Sequence, residues 1–181
     1  MTRARIEAMK RMILSACILI LLPSRGTPAT YLVRPDGTGD YPTIREAIDA
    51  SVDGDAIELT DGTFTGEGNR DLDYEGRSIT IRSQSGDPLA CIIDCEREGR
   101  GFLGFLPGSL EGVTVTRGET TSFGGAIMVY QGQFTVRRCI FFDNHASGNG
   151  GAVFIDLCSR VTFTQCTFAS NVGGPGGAIC T

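Results

Sequence analysis

The chain has 181 residues, with 16 basic and 21 acidic side chains and a formal net charge of −5. This length suits one domain, and the acidic balance argues against nucleic acid or an anionic membrane as a partner. The 25 glycines are about twice the usual share, which indicates a backbone with many tight corners.

The start of the chain, up to Ala29, has the pattern of an export signal. A basic segment that ends at Arg11 is followed by the apolar run Met12–Leu22 and by the small residues Thr27-Pro28-Ala29. The run is too short to span a bilayer, which needs roughly 20 apolar residues. We therefore predict a signal peptide over 1–29 and a mature domain over 30–181 without a transmembrane span. The protein would be secreted or held in the cell envelope of a bacterium, at the outer membrane or outside it.

Cleavage after Ala29 would make the protein more acidic. It removes five positive charges and one negative charge, so the net charge changes from −5 to −5 − 4 = −9. Lys10 is the only lysine, and every remaining side-chain cation is therefore an arginine. Leu14-Ser15-Ala16-Cys17 also resembles a lipoprotein signal, which makes lipid anchoring at Cys17 the alternative.

The start of the mature sequence predicts a cap. Tyr31–Arg34 has a strand pattern, and the turn-forming cluster Asp36–Asp40 follows it. Thr43 and Glu46 form a capping box that begins a short helix running to about Ser51. Three apolar residues share one face of this helix: Ile44, Ala47 and Ile48. We expect that face to cover the open edge of the first strands.

Short strand-like segments follow, separated by turn residues. They are Ala56–Leu59, Thr63–Thr65, Leu72–Tyr74, Ile79–Arg82, Cys91–Asp94, Phe102–Phe105 and Val113–Thr116. They alternate β-branched or aromatic residues with polar ones and show no helical period. We find no linker between them and predict one continuous all-β domain.

The last third of the chain is a repeat. The triplet Gly-Gly-Ala begins at Gly124, Gly150 and Gly176, which are equally spaced, and an apolar run follows each copy. A second marker lies between the triplets, because Cys139–Asn144 aligns with Cys166–Asn171 and Val113–Gly118 fits the same frame. Short strands at this fixed period predict a parallel β-helix in which each repeat is one coil.

One position of the repeat is a predicted corner. It is occupied by Gly118, Asn144 and Asn171, and Gly and Asn are the residues that tolerate a left-handed backbone. We also expect Asn144 and Asn171 to stack as an amide ladder between coils, which is a structural role.

These motifs resemble known families. The chain resembles the right-handed parallel β-helix proteins, the superfold of the pectate lyases. Phe-x-x-Asn at Phe141 and Phe168, combined with Gly-Gly-Ala-Ile/Val, is similar to the repeat of the chlamydial polymorphic outer membrane proteins. The segment Asp36–Ile44 is similar to the N-terminal cap of pectinesterases. The resemblance implies a right-handed parallel β-helix with a helical N-terminal cap, but it identifies no catalytic residue.

Six cysteines remain after the predicted cleavage: Cys91, Cys95, Cys139, Cys158, Cys166 and Cys180. Their spacing is not that of a zinc site, and we predict no metal centre. Cys139 and Cys166 share one repeat position, so their Cα atoms should lie about 4.8 Å apart. This distance permits either a disulfide or two stacked thiols in the core.

Acidic residues supply the candidate catalytic groups. Asp94, Glu96 and Glu98 would share one face if they lay on a strand, and Arg100 would return to that face. In a polysaccharide lyase such carboxylates could hold Ca²⁺ while the arginine steers a proton. The glycines of this segment favour a solvated loop instead.

A second acidic pair and one histidine complete the candidates. Asp71 and Asp73 would share a strand face, as the paired carboxylates of a glycoside hydrolase do. His145 is the only histidine, and its place after Asn144 predicts an exposed loop residue.

The sequence therefore predicts an exported or cell-surface β-helix repeat protein without a bound cofactor. We expect its elongated face to bind a polysaccharide or a surface partner, and the alternative is a polysaccharide lyase or hydrolase with Ca²⁺. The sequence stops just inside a strand, at Cys180-Thr181, without an atypical terminal repeat. This predicts a truncated stack, or one that associates end to end through its last coil.

Overall fold

The structure, a computed structural model, describes residues 27–156 and 159–181. Within these ranges the chain winds through about six coils of short parallel strands, which form three lateral sheets. The predicted parallel β-helix is therefore confirmed. The lipid-anchor prediction at Cys17 and residues 1–26 of the predicted signal peptide lie outside the described residues. The described part of the chain contains no helix that is long and apolar enough to span a membrane.

The first sheet runs along the whole described chain. Its strands are β1 (Thr30–Val33), β2 (Ala56–Leu59), β4 (Thr80–Ser83), β7 (Ser109–Glu111), the second half of β10 (Ile127–Arg137) and β14 (Ser159–Thr164). The register places Glu58, Arg82, Glu111 and Arg137 in one outward column of alternating charge. The outer side of this sheet is therefore polar, with Arg82 Nη2 donating to Glu58 Oε1 at 2.6 Å.

The second sheet follows the first around each coil. Its strands are β3 (Gly62–Phe64), β5 (Cys91–Asp94), β8 (Thr114–Thr116), β11 (Ile140–Phe142) and β15 (Thr167–Ala169). Phe141 lies between Val115 and Phe168 of the neighbouring coils, and its ring stacks on that of Phe168 at 4.9 Å. In-register stacking of like side chains thus builds the interior of the repeat.

The third sheet closes each coil. Its strands are β6 (Phe102–Phe105), the first half of β10, β13 (Val153–Ile155) and β16 (Ile179–Cys180). A two-stranded ladder of β9 (Glu119–Thr120) and β12 (His145–Ala146) lies at the corner between the second and third sheets. The predicted strand over Leu72–Tyr74 is wrong, because only Leu72 pairs there, through a bridge to Phe102.

The three Gly-Gly-Ala triplets lie directly over one another. Gly125 donates its N–H to the carbonyl of Gly151 at 3.0 Å, and Gly151 donates to Gly177 at 2.7 Å. The first glycine has a positive φ in each triplet, 62° at Gly124. The second glycine of the first two triplets has no room for a side chain, since a Cβ on Gly125 would lie 2.5 Å from the Gly151 oxygen and one on Gly151 would lie 2.3 Å from the Gly177 oxygen. The triplet therefore follows from close stacking of the coils.

The predicted left-handed corner is displaced by one residue. Positive φ angles occur at Arg117, Asp143 and Ser170, not at the following residues Gly118, Asn144 and Asn171. The prediction from residue type was wrong because the asparagine side chain forms hydrogen bonds at this corner. The residue before the asparagine adopts the left-handed backbone conformation.

The N-terminal cap is confirmed. Helix α1 (Ile44–Ala50) begins after Thr43, whose hydroxyl accepts the Glu46 N–H at 3.3 Å. The apolar face predicted for this helix is buried against the first coils. A short 3-10 helix (Glu67–Asn69) supports it, because Asn69 Oδ1 accepts the N–H of Ile44 at 2.9 Å.

Cys139 and Cys166 face each other across neighbouring coils as free thiols. Cys166 occupies the same repeat position one coil later, and both thiols bond to backbone carbonyls. Burial raises the pKa of Cys139 to about 12. The stacked-thiol interpretation agrees with this arrangement.

Candidate functional site

The predicted acidic strand face after β5 does not exist. Strand β5 ends at Asp94, and Glu96 and Arg97 have positive φ angles of 56° and 60°. The backbone therefore turns where a strand would have continued, and the alternative prediction of a loop is confirmed.

The three carboxylates of this loop diverge toward two arginines. Arg117 from the following coil binds both oxygens of Asp94, with Nε 2.7 Å from Oδ1. Arg70 from the preceding coil donates to Glu96 at 2.8 Å and to Glu98 at 2.6 Å. Each acid is thus held by a guanidinium, and the three do not converge on one point.

Arg100 does not return to the acidic face. Its Nε donates to the carbonyl of Phe123 at 3.1 Å, and its Nη2 donates to Thr120 Oγ1 at 2.7 Å. The guanidinium therefore holds the loop before the third sheet. The arrangement of this arginine with the three acids required a continuing strand, and it is not formed because the chain turns at Glu96 and Arg97.

The ion pairs continue along the same corner into the next coils. Arg97 donates to Asp143 at 2.6 Å and to Glu119 at 3.5 Å, and hydrogen bonding to Asp143 raises the pKa of Arg97. His145 Nδ1 lies 3.9 Å from Glu119, and this histidine is a half-buried residue of β12 instead of the predicted loop. The corner is a ladder of paired charges that ties successive coils together.

Asp71 and Asp73 also fail to converge. Asp71 has a φ of 49° and accepts the N–H of Arg100 at 2.9 Å, with its carboxylate against Gly99. Asp73 accepts the N–H of Glu75 at 2.8 Å and lies against Gly104, near the other end of β6. The two carboxylates therefore act at opposite ends of one strand, and the predicted paired arrangement is not formed.

Calcium would need several carboxylate or carbonyl oxygens directed at one point. Among residues 27–156 and 159–181, no group of three His, Cys, Asp or Glu side chains is placed to hold a metal ion. The acids named above bind arginines or backbone N–H groups instead, so these residues do not fit the calcium site of the lyase alternative.

The outward side of the third sheet carries a group of aromatic and other apolar side chains that the sequence analysis did not predict. We call it the aromatic face, and it consists of Leu103, Phe105, Tyr130 and Phe154, the buried Met128 between them, and Phe123 from the loop before β10. Their strands have apolar residues on both sides, as the uninterrupted run Ile127–Tyr130 shows. That loss of alternation is the signal that could have indicated the face, because a strand with one solvated side normally alternates.

Phe105 and Tyr130 are the exposed centre of the aromatic face, each with 45% of its surface accessible. The register of β6 and β10 shifts between Val129 and Gln131, so Tyr130 lies on a bulge beside Phe105. Gly76 and Gly132 flank the ring of Phe105, because a Cβ on either would approach it to 2.9 and 3.2 Å. The outward-facing ring of Phe105 thus packs against the backbone of two glycines.

Phe123 extends the aromatic face toward the corner. Its ring stacks on that of Phe154 from the next coil, at 4.7 Å between centroids and 23° between planes. Gly148 leaves space for it, since a Cβ there would lie 2.7 Å from the ring. Phe123 nevertheless keeps 37% of its surface exposed.

Coil stacking, corner glycines and the asparagine position define a parallel β-helix repeat protein. Residues 138–156, which run from the corner before β11 to the residue after β13, match the family model of the Chlamydia polymorphic membrane protein repeat. The chain is similar to that repeat over this segment, as its motifs predicted. Comparison with curated proteins and with solved structures gave no match.

Proposed function

We propose that the protein is an exported β-helix of the bacterial cell surface that binds a carbohydrate or another surface molecule through its aromatic face. The observation that carries this proposal is the exposure of Phe105 and Tyr130 on the outward side of the paired strands β6 and β10, together with Phe123 from the loop before β10. Aromatic side chains are enriched where proteins bind partners, and contiguous exposed apolar surface is unusual without one.

Two features support a location at the cell surface. The N-terminal segment 1–29 has the composition of an export signal. The matched repeat, by its description, belongs to membrane proteins of Chlamydia. A stack of coils presents a long, rigid lateral surface, which suits a protein that contacts large partners.

The lyase or hydrolase alternative has less support in the geometry. A lyase needs acidic and basic groups that converge on a substrate, whereas Asp94, Glu96 and Glu98 each bind an arginine along the corner. Incubation with polyuronates and calcium tests this alternative directly. An unsaturated product that absorbs ultraviolet light would establish lyase activity and overturn the binding proposal as the main function.

The binding proposal is tested by changing the aromatic face while keeping the fold. The labelled full chain is applied to immobilised polysaccharides and to intact cells, and bound protein is measured. We expect the double variant Phe105→Ser/Tyr130→Ser to lose most binding. Phe142→Ser is the matched control, because Phe142 is 47% exposed but lies on the second sheet.

Equal binding by the double variant and the unaltered chain would overturn the proposal. Equal loss in the Phe142→Ser control would also contradict it, since general surface hydrophobicity would then explain the binding. Circular dichroism of each variant verifies that the β-sheet content is unchanged.

A further inference from the structure

Aspartate residues lie in the coils on both sides of the exposed aromatic pair. Asp73 lies in the coil before Phe105, with its side chain against Gly104. Asp156 directly follows β13 in the coil after Tyr130, and its N–H donates to the carbonyl of Val129 at 2.9 Å. The centre of the aromatic face is thus bracketed by acids along the axis of the β-helix.

The aromatic face itself contributes no positive charge. The outward positions of the third sheet, within the described ranges, carry no lysine or arginine. The arginines nearest in sequence to Asp73 are both bound to other acids: Arg70 pairs with Glu96 and Glu98, and Arg77 pairs with Glu75 at 2.9 Å. The mature chain as a whole would carry a net charge of −9 by the subtraction given above.

We infer that the aromatic face docks a basic, extended segment of a partner protein. The inference rests on the proposed function and specifies its partner. A cation over a Tyr or Phe ring is attracted by the ring quadrupole, and a carboxylate beside the ring adds to this attraction. Arginine fits best, because its planar guanidinium stacks on a ring and binds a carboxylate through two donors.

The spacing of the acids sets the spacing of the cations. Asp73 and Asp156 are separated by three strand-to-strand steps, which amounts to about 14 Å. An extended peptide rises about 3.3 Å per residue, so about four residues cover that distance. A segment with arginines at i and i+4, lying along the β-helix axis, would reach both acids with its stems over Phe105 and Tyr130.

Charge argues against two other occupants. A polyuronate chain would bring carboxylates against Asp73 and Asp156, and a second copy of this acidic chain would add further negative charge. Like charges brought together across an interface oppose binding. An uncharged glycan avoids this repulsion, but it would not be attracted by the negative charge beside the face.

The test uses the full chain and three synthetic probes. The first is an extended peptide with arginines four residues apart, the second is the same peptide with both arginines replaced by glutamine, and the third is a neutral oligosaccharide. Binding is measured by fluorescence anisotropy at about 0.01 M and about 1 M ionic strength. We expect only the arginine peptide to bind and the high salt concentration to weaken it.

Variants separate cation recognition from simple hydrophobic contact. Phe105→Leu and Tyr130→Leu keep apolar surface but remove the aromatic ring. Each should lower the affinity for the arginine peptide by about three-fold to ten-fold. Asp73→Asn keeps the shape and the acceptor for Glu75 but removes the charge, and should have a similar effect at low salt. Asp49→Asn is the control, since it makes the same change of net charge at an exposed position of α1.

The outcomes distinguish the two proposals. Equal binding of the arginine and glutamine peptides, tighter binding of the oligosaccharide, or an Asp73→Asn effect no larger than that of Asp49→Asn would overturn the inference. The function proposed above would survive each of these results if Phe105→Ser/Tyr130→Ser still abolished binding to cells or polysaccharides.

Discussion

The side-chain oxygen of Asn171 accepts two hydrogen bonds from Asn144, which lies in the coil before it. The backbone N–H and the Nδ2 group of Asn144 both lie 3.0 Å from Asn171 Oδ1. Asn144 repeats the pattern one coil earlier, with Oδ1 accepting the N–H of Gly118 at 2.8 Å. Each asparagine thus satisfies backbone groups that the turn leaves without strand partners, which explains an amide at this corner.

Replacing Asn144 by alanine should destabilise the protein by about 2–4 kcal/mol. Asn144 is 1% exposed, and its loss would leave the Gly118 N–H and the Val115 carbonyl without their partners. Denaturant-induced unfolding measures the change. Asn171→Ala is the matched comparison and should cost less, because Asn171 is partly exposed and water can replace its bonds. An equal or larger cost for Asn171→Ala would contradict this explanation of the ladder.

Gln165→Gly should stabilise the protein by up to about 1 kcal/mol, since Gln165 is exposed and has a φ of 55°. Glycine adopts this conformation without steric cost. Gln165→Val should destabilise the protein, because a β-branched side chain tolerates a left-handed backbone poorly. Thermal unfolding of both variants tests the pair. Destabilisation by glycine as well would show that the side chain matters more than the backbone conformation.

Stability should fall as the pH rises above about 9. Burial raises the pKa of Cys91 and Cys139 from 9.0 to about 12. Below 9.0 both states keep the thiol proton, whereas between 9 and 12 only the unfolded state releases it. The free energy of unfolding should therefore decrease by about 1.4 kcal/mol per pH unit for each buried thiol.

Removing one of these thiols tests the cause. Cys139→Ala should reduce the slope of unfolding free energy against pH in this range, whatever its effect on stability at neutral pH. Cys180→Ala is the control, since Cys180 is only partly buried and no such loss of slope is expected. An unchanged slope in the Cys139→Ala protein would contradict the assignment.

The ion pairs along the corner should contribute modestly to the stability of the fold, and their contribution should decrease as the salt concentration rises. A double-mutant cycle between Arg70→Gln and Glu96→Gln should give a coupling of about 0.5–1 kcal/mol that decreases at high ionic strength. Glu98→Gln supplies the comparison with the same arginine. Its coupling should be smaller, because the Glu98 side chain is far more exposed than that of Glu96. A larger coupling for Glu98 than for Glu96 would show that hydrogen-bond geometry matters more than solvent screening in these pairs.

The exported protein should begin at Thr30. Intact-mass measurement of protein recovered outside the cytoplasm should show the loss of residues 1–29, because the small residues before Thr30 suit a signal peptidase. Replacing Ala29 by arginine should block this cleavage and retain the precursor. A mature protein that begins at Cys17 and carries lipid would instead establish the alternative anchor.

The fold could be predicted because its constraints are local and periodic. Gly124, Gly150 and Gly176 show the period directly, and the strand limits at Ala56–Leu59 and Cys91–Asp94 agree with the structure. The glycines after Asp94 indicated the loop there, but the position of the left-handed residues could not be predicted from residue type. Arg97 and Asp143 adopt positive φ angles because the neighbouring coils fix the backbone there.

The residues of the aromatic face were harder to predict, because their proximity depends on the register of the strands. Phe105 and Tyr130 are far apart in the sequence and become neighbours only when β6 pairs with β10 through a bulge. Arg100 would have joined the acidic face only if the strand had continued, and the chain does not adopt that extended backbone.

The equal spacing of the three glycine triplets also affects how such a chain can change in length. Because Ile127, Val153 and Ile179 occupy equivalent places one coil apart, a duplication of residues 127–152 would insert a whole coil and return the chain to the same register. An insertion of any other length within a strand would misalign the glycines. Tandem duplication of coil-length segments is thus a simple genetic route by which a β-helix of this kind can become longer.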